Sequence, residues 1–366
     1  MTAEYHRLGD YIREVNVRNR ELKVIRLLGL SIEKEFIPSI ANIIGTDMAG
    51  YKIVHRRQFA YVPVTSRNGE KITVALLEDC DEAIISQAYT VFEVVDSEKL
   101  LPEYLMMWFR RPEFDRYARF HSHGSAREVF DWDELCDEQL PVPSIERQRE
   151  IVSEYETLTR RIRLNNRMNE KLEATAQALY HKTFVAGIDQ QNLPNGWHLG
   201  TLGEVATVKA GGDKPKEFSE KPTEEYNIPV YANGIENKGI FGYTNKAVIK
   251  EKSITISARG TIGYCFLRRQ PYVPIVRLIV VVPHKEVMAQ YLYHYMNESN
   301  MKGSGSVQSQ LTVPDMEKVE IIMPPQMMLE DFHNHAEIID KSISIREHEN
   351  EQLTKLQSLL LAKMGQ

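Results

Sequence analysis

Two long stretches of the chain carry their apolar residues at alternating steps of four and three. The first runs Ile151, Tyr155, Leu158, Ile162, Asn165, Asn169, Leu172, Ala176, Leu179, Thr183. The second runs Phe332, Ala336, Ile339, Ile343, Arg346, Asn350, Leu353, Gln357, Leu360, Met364. Each is a heptad seam sustained over more than four heptads, which predicts a long helix with a partner. Glycine and proline are absent from 145–186 and 326–364, and each stretch opens just past a proline, Pro143 or Pro325. Gly187 and Gly365 stand where a helix stop belongs. At about 1.5 Å per residue each helix would be roughly 60 Å long. Both seams turn polar in the middle, at Asn165 and Asn169 and at Arg346 and Asn350. A buried Asn costs stability but fixes register and orientation. A globular segment separates the two stretches, so the expectation is an antiparallel coiled coil.

The remaining segments alternate differently. In the first, Gln58–Pro63, Lys71–Leu77 and Ala83–Val95 read as strands, and Leu101–Phe109 as a short helix. In the second, Ile228–Tyr231, Ser253–Ser257, Gly263–Leu267 and Tyr272–Pro283 read as strands, and Gln290–Met296 as the matching helix. Residues 187–196 form a polar Pro/Gly linker. The expected class is α+β. Globular domains over 1–143 and 187–324 alternate with spacer helices over 144–186 and 325–366.

These segments are a duplication. Residues 123–184 align with 304–365 without a gap: His123-Gly124-Ser125 falls on Ser304-Gly305-Ser306, Pro143 on Pro324, and Leu172 on Leu353. Upstream of each copy sits a Leu-Gly-acid start, Leu8-Gly9-Asp10 and Leu202-Gly203-Glu204. The repeat is too long for a solenoid. Two similar domains on one chain point to two similar things to hold.

Composition narrows the reading. The longest apolar run, Leu278–Pro283, is far too short to span a bilayer, and no secretory leader is visible. Cys80, Cys136 and Cys265 are odd in number and widely spaced, so a reducing cytoplasm is the expected home. The net charge of −6 argues against a purely electrostatic nucleic-acid binder. If DNA is the partner, basic residues must gather on one face and another protein must supply much of the phosphate attraction.

Catalytic motifs are missing. There is no Gly-x-x-x-x-Gly-Lys-Ser/Thr loop, and Gly303-Ser304-Gly305 lacks the third glycine of a dinucleotide fingerprint. Pro324-Pro325 lies between Met323 and Gln326 and lacks the Asn/Asp-Pro-Pro-aromatic form of an amino-methyltransferase. The pairs His121/His123 and His333/His335 have no acidic or Cys cluster at ligand spacing, so no metal is expected. Asp96-Ser97-Glu98-Lys99 mimics a nuclease triad without a partner acid.

Binding chemistry remains. Arg259 sits between small residues in Ser257-Ala258-Arg259-Gly260-Thr261-Ile262-Gly263, at a predicted strand-to-loop corner. Glycines let a backbone approach closely, and Arg can take guanine O6 and N7 bidentately. Asn233, Asn237 and Gln308 or Gln310 could read adenine edges. Gly124-Ser125 and Gly305-Ser306 offer backbone N–H groups to phosphates. Lys214 and Lys238 lie in Gly/Asn-rich loops, and Lys34, Lys52, Arg56, Arg57, Arg67 and Arg127 are the basic candidates of the first domain. A lone nuclease or methylase fragment and a structural coiled-coil adaptor are the rival readings.

With these residues in place, the chain resembles a type I restriction–modification specificity subunit over essentially its whole length. The second domain opens Leu193-Pro194-Asn195-Gly196-Trp197 and then Leu202-Gly203-Glu204-Val205, a start typical of that family's target-recognition domains. Ser257–Gly263 is similar to the family's small-Arg-Gly-Thr-x-Gly segment, and residues 29–63 and 85–94 are also similar to such domains. The first helix opens Pro143-Ser144-Ile145-Glu146-Arg147-Gln148-Arg149-Glu150-Ile151, close to Pro-x-x-Glu-x-Gln-x-x-Ile, whereas Pro325–Asp331 lacks the Glu-x-Gln. The resemblance implies a non-catalytic chain that reads a bipartite double-stranded DNA target, one domain per half-site, with helices that set the separation. It implies two methyltransferase subunits that use S-adenosylmethionine on a flipped adenine, and two restriction subunits that use ATP and Mg. Glu146, Gln148, Ile151, Pro324 and Pro325 would then grip the partners.

Overall fold

A computed structural model of the chain describes residues 4–39, 46–66, 71–124, 127–189, 191–260, 262–299 and 310–365. They group into two compact units, one of residues 1–166 with 347–366 and one of residues 167–346. The sequence suggested four consecutive segments; the contacts instead divide each long helix between the units. The helices are Ile145–Phe184 and Gln326–Lys363. The chain therefore passes from unit to unit twice, each time inside a helix.

The first unit is built on a four-stranded antiparallel sheet in the order Ile12–Val15, Thr90–Val94, Phe59–Tyr61, Val74–Leu76. Phe59 and Phe92 stack on it at 4.8 Å between centroids, both fully buried. The helix Pro102–Phe109 lies against this layer, with a proline in its first turn and all its residues but Glu103 buried. A helix apolar on all sides needs cover on all sides. Val152 and Tyr155 of the first long helix, Leu361 of the second and Met364 just past its end join the same core. Strand Tyr5–Arg7 pairs antiparallel with Gln139–Pro141, immediately ahead of the first long helix.

The second unit repeats the plan. Its sheet runs Ala206–Ala210, Ile279–Pro283, Ser253–Ile256, Cys265–Arg268, and its helix is Met288–Glu298. Strand His198–Thr201 pairs antiparallel with Glu320–Met323, immediately ahead of the second long helix. Tyr180 and Phe184 from one long helix and Leu329, Phe332 and Ala336 from the other finish its core. Gln177 bonds His294 at 2.7 Å and Glu298 at 2.9 Å, and burial pushes the His294 imidazole down to about 4.

The repeated Leu-Gly-acid start has a packing reason. Leu8 and Leu202 are fully buried anchors. A Cβ at Gly9 would stand 2.8 Å from Cys136 Cβ, and one at Gly203 would stand 3.2 Å from the Glu317 carbonyl oxygen. The glycines let the chain press on the short helices Trp132–Asp137 and Val313–Glu317.

Every expected seam position on both long helices is buried or half-buried. The antiparallel order is visible within the first unit, where Gln357 donates to Thr159 at 2.7 Å and Arg161 pairs with Glu349 at 2.9 Å. Asn165, 1 % exposed, donates to Asn350 at 2.9 Å and Glu349 at 2.8 Å, and Asn350 donates to Asn166. Of the four polar seam positions, Asn165 and Asn350 meet as a matched amide pair, whereas Arg346 donates to the Ser342 carbonyl of its own helix.

Two expected strands are each broken in two. Ala83–Val95 is Glu82–Ile85, which pairs with Lys52–His55, and Thr90–Val94 of the main sheet. Tyr272–Pro283 is Val273–Pro274, parallel to Val230–Tyr231, and Ile279–Pro283. Each break falls where a polar residue interrupts the run, at Ser86-Gln87 and at Arg277, which a strand reading by propensity passes over.

Gln148 is fully buried at the start of the first long helix. It accepts from Leu101 N–H at 2.9 Å and donates to the carbonyls of Lys99 at 2.8 Å and Pro143 at 2.9 Å. It locks the helix to the chain ahead of Pro102 and is not free to grip another protein. We expect Gln148→Leu, which strands these groups, to cost about 1–3 kcal/mol per unsatisfied group. Exposed Glu146→Ala should stay within about 0.5 kcal/mol. Denaturant midpoints check both.

Candidate nucleic-acid interface

Several basic candidates of the first unit are held inside it. Lys34 is 5 % exposed, pairs with Asp115 at 2.8 Å and donates to the Phe109 carbonyl. Burial pulls its ammonium below the usual range, and Asp115 only partly restores it. Lys52 is 6 % exposed and 3.8 Å from Glu14, also pulled down by burial. Neither presents a cation to a phosphate, which corrects the expectation for both. Arg56 pairs with Asp81 at 3.0 Å and Arg57 with Glu103 at 3.2 Å, both half exposed. Gly124 lies at φ +137°, where a Cβ would stand 2.1 Å from the Arg127 carbonyl oxygen, so only glycine fits this turn. Arg127 is exposed there without an ion pair among the described residues. His121 and His123 both approach Glu134, at 2.7 and 3.5 Å. Among the described residues no cluster is arranged to hold a metal ion. Arg67 and Ser125 lie outside the described residues.

In the second unit the Arg-Gly corner stands at the end of Ser253–Ile256. Ser257 is 1 % exposed and its carbonyl accepts from Gly263 N–H at 2.9 Å, so it shapes the corner and reads nothing itself. Asn233 is likewise occupied: its Nδ2 donates to the Val276 carbonyl at 2.8 Å, and its Oδ1 accepts from Ala258 N–H at 2.7 Å. It ties two loops together. Gly260 is exposed at φ +68° with open space around it. Arg259 is exposed and donates to Gln310 Oε1 at 3.0 Å.

Arg259 and Gln310 line a cleft of about 310 Å³ together with Gly211, Arg277 and Thr312, and no carboxylate lines it among the described residues. Lys214 sits over the Phe218 ring at 3.6 Å and within 5.4 Å of Phe241. Asn237 and Lys238 are exposed in left-handed conformations, φ +47° and +54°. Thr261, Gly305, Ser306 and Gln308 lie outside the described residues. Of the expected readers, the structure brings Arg259 and Gln310 together. It adds Arg277, which sequence reasoning placed inside a strand. The available signals were Pro274 and Arg277 inside an otherwise apolar run, and its length, since Tyr272–Pro283 is about twice a usual strand of 5–6 residues.

Among the residues expected to grip partners, Glu146 is exposed, Ile151 and Pro325 are half-buried, and Gln148 and Pro324 are buried. Ile151 packs on the core of the first unit.

The reassignment of Lys34 is testable. Lys34→Met leaves the Asp115 carboxylate with Ile72 N–H but without its counter-charge, which should destabilise the chain by about 3–5 kcal/mol. The salt dependence of nucleic-acid binding should not change, whereas loss of a phosphate contact would lower the slope by about one. Chemical denaturation and a salt titration measure the two effects.

Known proteins share this fold. The profile of the type I restriction modification DNA specificity domain matches residues 56–174 and again 194–357, one match to each half of the repeat. An inferred type I specificity subunit of Mycoplasma pneumoniae is 34 % identical over 153 residues, 42 % of this chain and 45 % of that protein. The chain thus spans less than half of that relative's length. The type I restriction enzyme HindI specificity subunit of Haemophilus influenzae is 22 % identical, over 98 % of this chain and 97 % of the other. The crystal structure of the type I S subunit from M. genitalium superposes with a TM-score of 0.58 at 15 % identity, over 100 % of this chain and 99 % of that one, and so shares its fold. With both halves of its duplication matched, the chain belongs to the type I restriction–modification DNA specificity family.

Proposed function

We propose that the chain is the DNA-reading, non-catalytic subunit of a type I restriction–modification complex. Each unit reads one half of a bipartite duplex target. Two methyltransferase subunits carry S-adenosylmethionine and methylate adenine within the site. Two restriction subunits add ATP- and Mg-dependent cleavage. The observation that carries this reading is the duplication itself: two units of one plan, each with a family match, each followed by a long helix. The carboxylate-free cleft at Arg259 supports it, because a chain of net charge −6 that gathers arginine without compensation offers a site for electron-rich acceptors. A coiled-coil adaptor has no need of such a cleft. Exposed apolar residues on the long helices, such as Leu164, Ile338, Ile345 and Leu359, give the methyltransferase subunits a surface to cover.

The deciding experiment incubates the purified full chain with DNA and S-adenosylmethionine, with and without its methyltransferase subunit. The chain alone should transfer no methyl group. The mixture should methylate adenines inside one two-part sequence. Turnover by the chain alone, or methylation without sequence preference in the mixture, would overturn the reading. Within the mixture, Arg259→Ala should weaken target binding by about 1–3 kcal/mol and relax preference at one base position if it reads guanine. An unchanged target and affinity would return Arg259 to an ordinary surface loop.

A further inference from the structure

The second arginine of the cleft has an unusual backbone. Val276 and Arg277 are consecutive and both left-handed, at φ +52° and +58°. This conformation costs an L-residue roughly 1–2 kcal/mol, and for a β-branched side chain it is a genuine outlier. Glycine would adopt it freely, yet this corner holds the residue least suited to it followed by a long cation. The corner is fixed from several directions. Val276 N–H donates to the Gly212 carbonyl at 2.9 Å, and Arg277 N–H to the Gly211 carbonyl at 3.0 Å. Leu278 N–H donates to the Ile275 carbonyl at 3.1 Å, and Asn233 holds the Val276 carbonyl. Gly211 permits the approach, since a Cβ there would stand 2.8 Å from Ile275 N.

The side chains aimed by this corner are not used by the fold. Val276 is 50 % exposed. Arg277 is exposed and has no ion pair among the described residues. It shares the cleft with Arg259, and among the described residues no acidic side chain lines that cleft. Two like charges facing one carboxylate-free space repel each other, so their convergence serves an acceptor from outside the chain. Strain that the surroundings over-determine, at a charged and exposed point, marks a functional position.

We infer that Val276-Arg277 is a second base-reading tip of this unit, with Arg277 donating its guanidinium fork to the O6 and N7 acceptors of a guanine beside the base met by Arg259. Val276 places an apolar surface next to it, of the kind that contacts a thymine methyl. The inference rests on the DNA-reading role proposed above. It adds a specificity-determining residue and a base class to that role.

The test selects bound sequences from randomised duplexes with the full chain and its methyltransferase subunit, for wild type, Arg277→Ala, Arg277→Lys and Arg277→Gly. A wild-type selection without any enriched sequence means that the DNA-reading role itself fails. With an enriched wild-type target, Arg277→Ala should lose preference at one G·C pair and bind the original target roughly 5- to 150-fold more weakly. Arg277→Lys keeps the charge without the fork and should lose the same preference while keeping the salt dependence. Arg277→Gly should melt no lower than wild type, which separates lost reading from lost folding. An unchanged target motif overturns the inference, whether binding stays intact or falls uniformly with a salt slope lower by about one, the mark of a phosphate contact. A lower melting point of Arg277→Gly also overturns it, because Arg277 would then serve the fold.

Discussion

The structure depends on the burial of one short apolar helix in each unit. Pro102–Phe109 cannot be covered by its own sheet alone, and its core is completed by Val152 and Tyr155 of the first long helix, Leu361 of the second and Met364 just past it. Met288–Glu298 is covered in the same way by Tyr180, Phe184, Leu329, Phe332 and Ala336. Each unit thus borrows half of each long helix. The hydroxyl of Tyr5 donating to the Gly365 carbonyl at 3.0 Å joins opposite ends of the chain inside the first unit.

This borrowing explains why the helices were legible and why their role was only half legible. The seam follows a period that sequence preserves, and Asn165 and Asn350 meet as a polar seam residue should. The first long helix has a second buried face, carried by Gln148, Val152 and Tyr180, which enters the unit cores: Gln148 bonds the chain ahead of Pro102, and Tyr180 meets Tyr291 and His294. A heptad reading has no place for it. The division of the chain therefore falls inside the helices and not at their ends.

The candidate site was legible by residue type and illegible by partner. Arg259 and Gln310 stand together at a glycine-flanked corner, much as small residues around an arginine suggest. Lys34, Lys52, Arg56 and Arg57 look equally basic in the sequence, but Asp115, Glu14, Asp81 and Glu103 arrive from distant positions to neutralise them. Arg277 was hidden for a different reason. Its left-handed corner carries neither Gly nor Asn, and hydrogen bonds from elsewhere in the fold impose it against local preference.

The discontinuity of the first unit also has a temporal side. Residues 167–346 form one uninterrupted unit, whereas residues 1–166 need 347–366 to finish their core. On a ribosome the later-made unit holds all its contacts before the earlier-made one does. The first unit must wait with its core unfinished until Leu361 and Met364 emerge, an order opposite to the usual N-terminal-first sequence of domain folding. Synthesis of this chain thus carries a window of exposed apolar surface whose length is set by the time taken to translate the whole second unit.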